Sequence, residues 1–118
     1  MRALGFLLLM LAAPAFAAES PALVPEGEAV RCISQRQLVR TRVIDRQTIE
    51  FEVGQRIYHN RLAWACPNLD FEESFRQFNG TAGLCQGDLI TPINRGPPRA
   101  TSNCPLGPFQ PMVPRPQP

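Results

Sequence analysis

The sequence predicts an all-β domain: a small barrel or sandwich built on a meander, stapled by two disulfides, with at most one short helix. Three observations predict it. Apolar and charged residues alternate through two neighbouring runs between Val39 and Val53, the period of a half-buried strand. Thirteen prolines in 118 residues, nine of them after Thr91, argue against a helical bundle. Four cysteines in so short a chain behind an export-type leader read as two bridges.

The leader comes first in the chain. Met1 and Arg2 precede a ten-residue apolar run from Leu4 to Ala13, which Pro14 breaks. Ala15-Phe16-Ala17 then places small residues at both positions a signal peptidase inspects, so residues 1–17 are expected to be a signal peptide cleaved after Ala17. The run is too short to cross a bilayer core of about 30 Å. No later segment reaches membrane length, and the mature protein is expected to be a soluble monomer, periplasmic or secreted. All twelve basic residues are Arg; without Arg2, eleven face ten acids, and this near-neutral balance argues against binding nucleic acid or anionic membranes through bulk charge.

Residues 18–31 hold two prolines and three acids and are expected to form a flexible lead-in, at most ending in a first strand. The ordered domain is expected over 32–110. Val39, Thr41 and Val43 alternate with Arg40 and Arg42, giving a strand with one wet face. Asp45-Arg46-Gln47 is a polar break. Ile49, Phe51 and Val53 then alternate with Glu50 and Glu52, so the two runs make a hairpin. Arg facing Glu across it contributes a few tenths of a kcal/mol per pair. Gly54-Gln55 turns the chain into a third strand over Arg56-Ile57-Tyr58-His59-Asn60, which completes the meander.

Phe71, Phe75 and Phe78 recur at helical spacing after Asp70, a candidate cap, and favour a helix over 70–78 against a coil and short strand. Asn79-Gly80 ends that segment, and Asn79-Gly80-Thr81 forms a glycosylation sequon of no meaning in a bacterial host. Leu89-Ile90-Thr91-Pro92-Ile93 reads as a further strand, with Pro92 marking an edge or an end. Leu106 and Phe109 are the last expected core residues. Residues 111–118 carry four prolines and are expected to be an extended or disordered tail.

The chemistry-bearing residues are few. Cys32, Cys66, Cys85 and Cys104 are separated by 34, 19 and 19 residues, without a C-x₂₋₄-C knuckle, and the chain holds one His; no metal site and no cofactor are expected. Three pairings are open from spacing. Tyr58, His59 and Asp88 are the weak surface-site candidates: an enzyme reading needs them in one pocket, with His59 as base. The competing reading makes His59 an outward strand residue and gives Asp45 and Asp88 backbone bonds at their turns. No catalytic residue is assigned, since no nucleophile elbow, phosphate loop or zincin helix is present. A single-strand nucleic-acid binder would need a continuous Arg groove with exposed Tyr58, Trp64 and Phe rings. The arginines alternate with acids and a thin core needs the aromatics, so core packing is the stronger expectation.

Several pieces occur in an order that resembles a family of small exported proteobacterial proteins classed as a domain of unknown function. They are Cys32-Ile33-Ser34, Val43-Ile44-Asp45-Arg46-Gln47-Thr48-Ile49-Glu50-Phe51, Arg56-Ile57-Tyr58-His59-Asn60-Arg61-Leu62, Cys66-Pro67-Asn68-Leu69, Leu84-Cys85-Gln86-Gly87-Asp88-Leu89-Ile90 and Cys104-Pro105-Leu106-Gly107-Pro108-Phe109. Asn68 departs from the Gly expected after Cys-Pro, and the Glu-rich 71–75 region departs from a more strand-like pattern. The resemblance implies the pairs Cys66–Cys104 and Cys32–Cys85. Those bridges close loops of 39 and 54 residues, each about 4 kcal/mol in the chain-entropy model. The expected role is a non-catalytic module that binds a protein or an envelope component. An inhibitor of host or rival hydrolases is the sharper alternative, ahead of an enzyme or a nucleic-acid binder.

Overall fold

The alternating runs become the middle of an antiparallel sheet. The computed structural model describes residues 22–69, 75–78, 83–93 and 103–116, together with Gly5 and Met10. In chain order the strands are β1 (Leu23–Pro25), β2 (Cys32–Ser34), β3 (Leu38–Asp45), β4 (Thr48–Val53) and β5 (Arg56–Arg61). They continue with β6 (Phe75–Phe78), β7 (Gly83–Cys85), β8 (Leu89–Pro92), β9 (Cys104–Pro105) and β10 (Phe109–Pro114). A five-stranded sheet runs β1-β10-β5-β4-β3, beside a β2-β7 ribbon and a β6-β8-β9 sheet. The arrangement is sandwich-like and all-β; the barrel alternative is not realised.

The meander follows the expected register. Gly54 has φ +61° and opens the β4–β5 turn, the first central position at which a II′ hairpin takes Gly. Counting back from Val53 opposite Arg56 sets Phe51 against Tyr58 and Ile49 against Asn60. At the β3–β4 turn the Gln47 N–H donates to Asp45 Oδ1 at 2.8 Å, the local bond expected of that carboxylate. One expected core residue is displaced. Val39 falls in a register shift between Leu38 and Arg40, opposes no β4 residue, and is 65% exposed; Ile44 occupies the second shift, and the bulges turn both side chains out.

Ile49, Phe51 and Val53 meet Tyr58 and Phe109 from the large sheet and Ile33, Leu84, Ile90 and Cys104 from the smaller ones in one core. The Phe51 ring is fully buried, edge-on to Phe109 at 5.3 Å and to Phe75 at 6.2 Å. Such contacts add about 0.5–1.5 kcal/mol each to the area buried. Both disulfides pair as the resemblance implied, Cys32–Cys85 and Cys66–Cys104. Asn68 sits at φ +68°, in the left-handed region that Gly enters freely and Asn tolerates, which accounts for Asn where Gly was expected.

Three expectations are corrected. Phe75–Phe78 is a strand paired with β8, not the end of a helix; the helical spacing of the rings yields to sheet pairing, and residues 70–74 lie outside the described set. The lead-in is not wholly flexible, because Leu23–Pro25 pairs with β10. Most consequentially, Pro111–Pro114 is no loose tail: β10 lies between β5 and β1. The prolines fit because N–H groups alternate sides along a strand. Phe109 donates to Val30 and Arg115 to Ala22, so the odd positions face β1 and the even positions face β5. Pro111 therefore lacks a donor only towards the β1 side, at the irregular join where Glu26 donates to its carbonyl at 3.0 Å. Pro114 faces the β5 side beyond Met112, the last residue paired there. The signal peptide, Asn79-Gly80 and the sequon lie outside the described residues, Gly5 and Met10 apart.

Among the described residues Asn60 is the one buried polar side chain of the core, fully enclosed on the inward face of β5. Its Nδ2 donates to the Gly107 carbonyl at 2.7 Å, and its Oδ1 accepts the Gly107 N–H at 2.8 Å. Only glycine fits opposite, since a Cβ at position 107 would lie 2.1 Å from the Arg61 carbonyl oxygen. Asn60→Ala strands both Gly107 groups, at roughly 1–3 kcal/mol each. Urea unfolding of that variant is expected to show a loss of roughly 2–5 kcal/mol; a loss below about 1 kcal/mol would mean the clasp is dispensable. Deleting residues 110–118 is expected to abolish the cooperative thermal transition, which removal of an unpaired tail would leave unchanged.

Candidate functional site

Alternation that buries Ile49, Phe51 and Val53 sends Glu50 and Glu52 to the outer face of the large sheet. Register then places Arg42 opposite Glu50, Arg40 opposite Glu52, and His59 against Glu50 on the other side. Glu50 is the hub. Its Oε2 lies 3.3 Å from Arg42 Nε, and its Oε1 lies 2.9 Å from His59 Nε2. A carboxylate only accepts, so this bond places a proton on Nε2. Arg40 presents both Nε and Nη2 to Glu52 Oε2, at 3.2 and 2.9 Å.

All of these side chains but Glu52 line a cleft of about 590 Å³, within the range of small-ligand sites. Leu23 and Ile57 supply its apolar wall, and Arg40, Arg42, Glu50 and His59 its polar one. Both guanidinium groups are paired, Arg42 with Glu50 in the lining and Arg40 with Glu52 outside it, so the polar wall is charged but balanced. A second hollow of about 410 Å³ at the hairpin end is lined by Asp45, Arg46, Gln47, Arg61 and Ala65. There Gln47 is committed internally, its Nε2 donating to the Leu62 carbonyl at 2.9 Å.

The three candidates from sequence do not converge. His59 lines the first cleft as an outward strand residue, whereas Tyr58, its neighbour on β5, points into the core and is 9% exposed. Asp88 sits at the β7–β8 turn, where its Oδ2 accepts the Cys85 N–H at 2.7 Å and its carbonyl accepts from Leu106 at 2.9 Å. The carboxylate shapes that turn as the local reading expected. Trp64, expected in the core, is instead 55% exposed, whereas the Phe51, Tyr58 and Phe109 rings are buried. The surface pairs Arg with Glu on the hairpin, unlike a continuous Arg groove. Among the described residues no three His, Cys, Asp or Glu side chains cluster as a metal site would require, and no helix is long and apolar enough to cross a membrane.

Strand alternation announces the Arg–Glu face in the sequence, but not that His59 joins it or that Leu23 closes it. The first was within reach, because counting from the Gly54-Gln55 turn sets Glu50 opposite His59. The second depends on β10 carrying β1 across the sheet, which composition conceals. Comparison with known proteins returns no matching family model, no similar curated protein and no similar solved structure.

The Arg40–Glu52 pair is solvated, with the Arg40 side chain 74% exposed, and its stabilising effect should be small. A double-mutant cycle on Arg40 and Glu52 is expected to give a coupling below about 1 kcal/mol. A coupling above about 2 kcal/mol would make this face a structural device and not a surface free for binding.

Proposed function

We propose that the mature chain is an exported, non-catalytic binding module that takes its partner at the outer-face cleft. The observation that carries this reading is the cleft's make-up: an apolar wall of Leu23 and Ile57 beside a lining with two guanidinium groups and one carboxylate. The fitting partner is a protein or envelope component that presents an apolar group next to a polar one able to bond the paired Arg and Glu side chains. Export accords with two disulfides, which persist in oxidising compartments, and with the leader-like opening of the sequence.

Two measurements test the proposal. The protein recovered from the periplasm or medium should begin at Ala18; finding residues 1–17 intact removes the export claim. A photo-crosslinking residue at Ile57 in living cells is expected to trap a recurrent partner, and Arg42→Glu should abolish that product. Absence of a product, or one that survives the charge reversal and forms equally from position 61, contradicts binding at the cleft.

A further inference from the structure

The two disulfides occupy opposite environments. Cys66 and Cys104 are 0% and 1% exposed, inside the core cluster. Cys32 is exposed and Cys85 half-buried. They stand directly opposite on β2 and β7, a ribbon of three residue pairs with no third strand among the described residues. The Gln86 N–H donates to the Arg31 carbonyl at 2.8 Å, so ladder bonds flank the cysteines and leave them a non-hydrogen-bonded pair, the kind whose side chains lie closest. Opening the bridge disturbs one short ribbon, while Ile33 and Leu84 still anchor its inner face in the core.

We propose that Cys32–Cys85 is a thiol–disulfide exchange site for a dithiol oxidoreductase, and that Cys66–Cys104 is the structural bridge that holds the domain while exchange occurs. Exchange needs a thiolate to reach a sulfur, and access is the property that separates the two bridges. The partner's thiolate attacks Cys32 Sγ, the Sγ–Sγ bond breaks, and Cys85 leaves as a thiolate that takes up a proton. A mixed disulfide remains on Cys32. The partner's second thiol gives up its proton and attacks the partner's own sulfur in that bond, releasing Cys32 as a thiol. The bridge gains two electrons and two protons, and the dithiol becomes a disulfide. The exchange is independent of whether the outer-face cleft is occupied.

The test is a timed reduction of the oxidised wild-type protein by dithiothreitol, with quenching by alkylation, peptide mass spectrometry of each bridge, and circular dichroism in parallel. Cys32–Cys85 is expected to open at least about tenfold faster than Cys66–Cys104, with the sheet signal retained in the singly reduced species. Equal rates, earlier loss of the buried bridge, or loss of the sheet signal with the first bridge would overturn the proposal. A thioredoxin-type oxidoreductase lacking its resolving cysteine provides the second arm. Its trapped adduct is expected on Cys32; an adduct on Cys85, or none, counts against the assignment.

Discussion

The two hydrogen bonds between Asn60 and Gly107 hold the position on which the rest of the structure depends. They join the end of the meander to the segment leaving Cys104, in a place water does not reach. Two residues further on, Phe109 enters the core edge-on to Phe51 and starts β10, which in turn carries β1. A side-chain amide here substitutes for a backbone ladder where none can form, and the absence of a Cβ at position 107 permits the approach. The Cys66–Cys104 bridge fixes the same loop from its other end. Bridge and clasp together convert a proline-dense terminus into a strand inside a sheet.

How much of this was legible in the sequence depended on whether a signal was local. The hairpin was legible because Ile49, Phe51 and Val53 alternate with acids, and a two-residue turn then sets every cross-strand partner. The turn roles of Asp45 and Asp88 were legible for the same reason. The terminal strand was hidden because proline content says nothing about which side of a strand lacks a donor, and here Pro111 and Pro114 lack theirs where little pairing is lost. Asn60 left a faint signal, a polar residue at an inward position beside Tyr58. The phenylalanine spacing misled because Phe75 and Phe78 belong to a strand paired with β8, and cross-strand pairing outweighs a helical recurrence of rings. Trp64 misled because a large apolar residue is not thereby a core residue.

The same alternation that builds the core also sets the composition of the outer face. The core residues of β4 oblige Glu50 and Glu52 to face out, where each meets an Arg on β3, and on β5 Glu50 meets His59 while Glu52 lies opposite Ile57. The charges are largely paired, so they set the chemistry of the cleft more than the stability of the fold. The proposed binding chemistry thereby sits on the meander, with His59 of the cleft and Asn60 of the clasp adjacent on β5 and facing opposite sides. The exposed Cys32–Cys85 bridge lies in a separate ribbon, where a change of redox state leaves that scaffold in place.

The proline-rich terminus is an integral strand closed by the Asn60 clasp. Native-state hydrogen exchange read by NMR tests it most directly, because Phe109, Gln110, Met112 and Val113 retain amide protons between the prolines. The account predicts that these amides and that of Gly107 exchange as slowly as Phe51 and Tyr58 in the meander, through the same global opening. Exchange at free-peptide rates in residues 107–113, with the meander still protected, would contradict it.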